Sequence, residues 1–276
     1  MSVYQDIDNA IYLIKGYDQV KNHYNKINLF PNYSLKHFKK YNLDGKKVLT
    51  RINNLHEVFD LMSYNADVVC FSSNRLNKYF IDLLLKLFDK NMNLYLNFIF
   101  KDYKTNNIFS KQTFNCIKDE LENETYIFFD EIYDYCYKKN ISISKLINDQ
   151  QYDKNVLERY IRVLIKKRFY EVRNNNKVSC WDLDVNDAST TFKPGTFNFI
   201  NLSFEMDNYS NDKLNKLMIA EKRYINLLKE HGKIQGFVSH NEIVLPEHKI
   251  IETRSLSDPN SSEESCKKDY AYVYSK

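Results

Sequence analysis

Residues 46–64 constrain this chain most, as a strand, a turn and a helix in which the turn contains no glycine. Lys46-Lys47-Val48-Leu49-Thr50 has the short apolar run of a buried strand, and Asn53 to Ser63 carries helical spacing. In nucleotide-binding α/β proteins this turn normally holds glycines, because backbone N–H groups there approach a ligand closely. Here it reads Arg51-Ile52-Asn53-Asn54-Leu55-His56-Glu57. The scaffold of a cofactor-binding fold is expected without its usual grip.

The rest of the chain extends the pattern. Residues 1–45 read as helical and polar-aromatic, interrupted by Pro31, with a short amphipathic helix from Leu35 to Tyr41 and a turn at Asp44-Gly45. Asp67-Val68-Val69-Cys70-Phe71 suits a second buried strand. A helix over 75–90 places Leu76, Phe80, Leu83, Leu84, Leu87 and Phe88 on one face. From 91 to about 170 the strand–helix alternation stops, and segments 114–121, 126–139, 143–147 and 153–170 all read as helical. Strand-like runs return at 177–181, 198–202, 234–239, 249–252 and 271–274, with a helix over 211–230.

The expected fold is therefore α/β, a Rossmann-like, mostly parallel sheet with helices on both faces and a helical insertion after the second strand. The expected organisation is a helical segment 1–45, the first part of the Rossmann-like domain at 46–90, the insertion at 91–170 and the second part at 171–276. Ser255 to Ser265, rich in Ser, Asp, Pro and Glu, reads as a loop.

Composition excludes several function classes. The 40 basic and 36 acidic residues leave a net charge of +4, smaller than a dedicated nucleic-acid binder usually carries. The basic runs at Lys36–Lys40 and Lys166–Arg168 read as solvated helix faces. Cys70, Cys116, Cys136, Cys180 and Cys266 are scattered, with no zinc-ligand spacing, so no metal site is expected. Cys70 and Cys180 fall in expected strands, where a thiol behaves as a small buried hydrophobe. No apolar run approaches the ~20 residues of a membrane span, and the N-terminus lacks the order of a secretory signal. A cytoplasmic setting is the expectation.

Phe30-Pro31-Asn32-Tyr33-Ser34, the turn Leu43-Asp44-Gly45 and the strand Lys47-Val48-Leu49-Thr50 carry a family resemblance. Further segments agree in order: 66–74, Phe128-Phe129-Asp130-Glu131-Ile132-Tyr133, Ile143-Ser144-Lys145-Leu146, Trp181-Asp182-Leu183, 197–203 and 269–276. Together, over about residues 28–276, they resemble the S-adenosylmethionine-dependent transferases related to the 3-amino-3-carboxypropyl transferase of betaine-lipid synthesis, with a class I methyltransferase-like fold. The resemblance implies S-adenosylmethionine as cofactor and methyl or aminocarboxypropyl transfer as the reaction. It implies cofactor contacts at Asn53, Asn54, Ser72, Asn74, Asp182, Ser203 and Glu205.

The departures fall where the cofactor would be held. The family's first turn has a Ser-Gly-Asp type sequence, and around Asn53-Asn54-Leu55-His56 both the glycine and the acid are absent. Ser72 stands where an acid should bond both ribose hydroxyls, and it lacks the charge and bidentate geometry. Asn74 matches the family's Asp-Ile-Asn pattern and Asp182 is retained near the adenine. Leu202-Ser203-Phe204 replaces Leu-Ser-Asn, with Glu205 and Asp207 beyond. His56 is a candidate general base against the plainer role of a cap or surface residue. Asp182 and Asp184 would share one face of an extended segment.

Three readings stay open, of which a nucleic-acid-associated protein using the basic helices is the one the near-balanced charge argues against. One of the other two is a transferase with a degenerate cofactor site and an unknown acceptor. The other is a non-catalytic pseudoenzyme acting as a protein interaction or binding module.

Overall fold

The computed structural model of the chain describes residues 2–17, 24–29, 38, 41–99, 110–148, 178–202, 222–239, 249–255 and 268–275. The residues divide into a helical unit of 1–29, 54–56 and 73–176, and a sheet unit of 30–53, 57–72 and 177–276.

The sheet unit holds β1 (Lys47–Arg51), β2 (Asp67–Ser72), β3 (Val178–Asp182), β4 (Phe197–Asn201), β5 (Leu228–Ser239), β6 (Lys249–Ser255) and β7 (Lys268–Ser275). Their order in one sheet is β3-β2-β1-β4-β5-β7-β6. The first five run parallel to their neighbours, and β7 lies antiparallel between β5 and β6. The chain winds outward from β1 through β2 to β3, then returns to place β4 on the other side of β1. That reversal is the topological switch point of a Rossmann-like sheet, and the fold is α/β of that kind.

Local chemistry explains these elements. Val48 and Leu49 of β1 and Val68 to Phe71 of β2 are buried without alternation, as parallel strands covered on both faces require. Gly45 takes φ +62° in the turn before β1, a conformation that L side chains disfavour. The same turn is clasped by the Gly45 N–H donating to the Asn65 carbonyl at 3.0 Å and by Asn65 Nδ2 donating to Asp44 Oδ1 at 2.6 Å. By contrast, the non-glycine residues with positive φ among the described residues are Asn65, Asn140 and His231, so residues 51–54 use ordinary backbone. The turn after β1 lacks glycine because its path does not need one.

β5 corrects an expectation. Residues 222–227 are helical, but Leu228 already pairs with Phe197, so the last turn of the expected helix 211–230 is strand. The register then shifts before Phe199 pairs with Lys233, across His231 at φ 60°. A Cβ on Gly232 would meet the Lys229 carbonyl oxygen at 2.8 Å, which holds this position to glycine. Residues 203–221 lie outside the described residues, as do most of 30–40 and all of 149–177 and 256–267.

The helical unit holds α1 (Val3–Ile14), α3 (Leu76–Lys90), α4 (Met92–Ile99), α5 (Lys111–Asn115) and α6 (Asn123–Lys139), with short 3-10 turns at Lys118–Glu120 and Ile143–Leu146. Helix α2 (Leu55–Met62) begins in this unit and continues in the sheet unit. Every described element between β2 and β3 is helical. The expected face of α3 is buried, and its rings stack into α6, with Tyr79 over Phe128 at 4.2 Å and Phe80 against Phe129 at 5.2 Å. Helix α1 is tied to α3 by a buried carboxylate. Asp6 accepts from Arg75 Nε at 2.8 Å and Nη2 at 3.1 Å, and from the Tyr24 and Tyr79 hydroxyls at 2.6 Å each.

The N-terminal segment is not helical throughout. Residues 24–29 are extended, because their backbone groups bond to other segments rather than to one another. Ile27 forms an isolated parallel bridge with Ile147.

Candidate functional site

A ligand of an open α/β sheet binds beyond the carboxyl ends of the strands, at the switch point. In this sheet unit that place lies between β1 and β4. Thr50, Asn201 and Gln235 are in-register partners on β1, β4 and β5, so they project from the same face. All three are fully buried. Asn201 Nδ2 donates to Thr50 Oγ1 at 3.0 Å and to Glu57 Oε1, and Gln235 Nε2 donates to Asn201 Oδ1 at 3.4 Å. Glu57, from α2, is buried as well. A polar ladder thus spans the switch point. Gln235 Oε1 is its one unsatisfied atom, buried without a hydrogen-bond partner among the described residues.

Sequence reasoning missed this ladder. The available signal was a single polar residue inside each apolar run: Thr50 after Val48-Leu49, Asn201 after Phe199-Ile200, and Gln235 after Ile234. A buried polar side chain needs partners, but only the register reveals that these residues are one another's.

The helical unit places a second set of groups. Helix α2 begins at Leu55, two residues later than expected, and Asn54 stands at its N-cap position. The first N–H groups of a helix have no intrahelical partner and form a ready site for an anion or a ligand. Here the Leu55 N–H donates to the Asn28 carbonyl and the His56 N–H to the Leu29 carbonyl, both at 3.0 Å. Asn74 is engaged by the same extended segment. Its Nδ2 donates to the Asn25 carbonyl at 2.8 Å, and its Oδ1 accepts from the Asn25 N–H at 3.4 Å and the Leu76 N–H at 3.3 Å. Asn28 also accepts from Asn148 through its side chain at 2.7 Å.

His56 is neither a cap nor a surface residue. It is buried, and its Nε2 lies 2.7 Å from the Tyr95 hydroxyl. Burial pushes the Tyr95 hydroxyl well above its ordinary value, so it stays protonated at neutral pH. The pair is enclosed among aromatic rings, with Phe88 4.0 Å from the Tyr95 centroid.

The other candidates divide as follows. Ser72 ends β2 and is the in-register partner of Asp182, which ends β3 and is exposed. These two carboxyl-edge residues are brought together. Asp184 follows two residues on. It is the N-cap of α7 (Val185–Thr191), where its Oδ1 accepts from the Asp187 N–H at 2.8 Å. Asn53 lies in the bend after β1, in the sheet unit, while Asn54 and Asn74 belong to the helical unit. Ser203, Glu205 and Asp207 lie outside the described residues. Cys180 is not the buried thiol expected, because β3 is an edge strand with Ser179 to Asp182 exposed.

No described helix is long and apolar enough to cross a membrane. No family model and no curated protein matches the chain. Among solved structures, it is similar to a proposed transferase of Pyrococcus horikoshii, at 8% identity and a TM-score of 0.39, over 95% of this chain and 74% of that one. It is similar also to the rRNA methyltransferase AviRa of Streptomyces viridochromogenes, at 10% identity and a TM-score of 0.43, over 98% of this chain and 92% of that one. Likenesses at this level add nothing to the strand order in assigning the fold and carry nothing about substrate.

Proposed function

We propose that this chain keeps the scaffold of an S-adenosylmethionine-dependent transferase but acts as a non-catalytic module that binds a protein partner. The observation that carries the proposal is the engagement of α2's first two N–H groups by the Asn28 and Leu29 carbonyls. In folds of this topology those amides and the turn before them face the ligand. Here the chain's own backbone stands in the acceptor's place.

The residues at the described positions support the loss of S-adenosylmethionine binding. The turn before α2 has the ordinary backbone of side-chain-bearing residues. The end of β2 offers Ser72 rather than an acid for the ribose hydroxyls. Asn74, the residue that best matches the family pattern, has its amide engaged by Asn25 and Leu76. No transfer step is therefore derived.

Isothermal titration of the purified protein with S-adenosylmethionine, and separately with S-adenosylhomocysteine, tests the proposal. The expected result is no heat at millimolar ligand. Micromolar binding would overturn it and restore the transferase reading, with exposed Asp182 as the first residue to examine.

A further inference from the structure

The in-register row that holds the polar ladder continues across the sheet and ends in two cysteines. Thr50 on β1 is the partner of Cys70 on β2, and Cys70 is the partner of Cys180 on β3. In-register residues of parallel strands project from the same face, so the two thiols lie side by side. Both are free, Cys70 buried and Cys180 exposed. The Cys70 thiol donates to the Ser179 carbonyl at 3.4 Å. Its contact with Cys180 first, and burial second, push the Cys70 thiol well above its ordinary value. It is therefore protonated at neutral pH, and the exposed thiol is the one an oxidant meets.

We propose that Cys180 and Cys70 are a reversible redox site, closed into a cross-strand disulfide by hydrogen peroxide. The Cys180 thiol gives its proton to solvent, the thiolate attacks the peroxide, and the O–O bond breaks; a sulfenic acid forms while the other oxygen leaves as hydroxide, which takes up that proton as water. Cys70 sulfur then attacks the Cys180 sulfur. The S–O bond breaks, and the leaving hydroxide takes the Cys70 proton as a second water. Two thiols lose two electrons and the peroxide gains them.

The geometry makes this bond a labile one. Neighbouring strands lie about 4.8 Å apart, within the roughly 4.4–6.8 Å of backbone separation that disulfides span, so the in-register pair can close without a change of register. The bond formed would lie at the exposed Cys180, and exposed disulfides have the more oxidising potentials that glutathione reverses. Closure would fasten β3 to β2 two residues before Asp182 and Ser72, at the sheet's carboxyl edge.

Treatment of the full chain with hydrogen peroxide, followed by thiol blocking and peptide mapping, tests the proposal independently of the function proposed above. The expected product is a linked pair of peptides carrying Cys70 and Cys180, returned to free thiols by glutathione. Cys70→Ser should stop at a Cys180 sulfenic acid that dimedone traps, and Cys180→Ser, an exposed replacement, should abolish both products. An unreactive Cys180, a stable sulfenic acid in the native chain, or linkage of Cys180 to any other cysteine would overturn it.

Discussion

Asp6 shows how much one buried residue can organise. Its carboxylate is fully buried and receives four hydrogen bonds, two of them from the Arg75 guanidinium. Burial is the largest influence and raises its pKa, but the bonds from Arg75, Tyr24 and Tyr79 together outweigh it and leave the carboxyl below its ordinary value. The same contact works in reverse on the phenol of Tyr24, pushed up to about 12 by burial and then by Asp6. A carboxyl whose pKa is lower folded than unfolded stabilises the fold above the unfolded value, and that contribution disappears as pH falls through the folded one. Asp6→Asn leaves the Arg75 charge enclosed without a counter-ion, and breaking such a pair costs about 3–5 kcal/mol. Urea unfolding at neutral pH should show that loss. The gap between the variant and the native chain should narrow as pH drops below about 3.9, the unfolded carboxyl value. A gap independent of pH would mean that Asp6 acts through packing alone.

Elements were legible in the sequence where one apolar run made one element. β1, β2 and α3 lie within a residue or two of their expected bounds because nothing outside the run decides them. The extended segment 24–29 was not legible, since its conformation is fixed by backbone bonds to residues as distant as Leu55, Asn74 and Ile147. The end of α6 belongs to the legible class and can be tested. Asn140 takes φ 53° and ψ 45° just past the helix, and the Ile141 N–H donates to the Cys136 carbonyl at 2.9 Å. This is the six-to-one bond of a Schellman motif, which favours glycine at the left-handed position. Asn140→Gly should therefore be neutral or stabilising by less than about 1 kcal/mol. Asn140→Val should cost about 1–2 kcal/mol, the strain of a branched residue in a left-handed conformation. Equal denaturation midpoints for the two variants would exclude this account.

At the scale of the whole molecule, the turn after β1 asks for no glycine, and among the described residues positive φ falls in other turns. The resemblance located the candidate positions, and it could not tell which donors the chain would use internally. That depends on segments far apart in sequence, and a motif read along one strand–turn–helix does not contain them. Hydrogen exchange reads the outcome directly. The Leu55 and His56 amides, bonded to the Asn28 and Leu29 carbonyls, should be protected in the ligand-free protein and unchanged by S-adenosylhomocysteine. Ser72→Asp provides the complementary arm. A new carboxylate there faces Asp182 across an in-register pair, and like charges so placed disfavour each other. Restoring the acid should thus lower stability slightly and, on the function proposed above, confer no S-adenosylmethionine binding. If Ser72→Asp instead bound S-adenosylmethionine, the proposal would fail, and the chain would be a transferase lacking one acid.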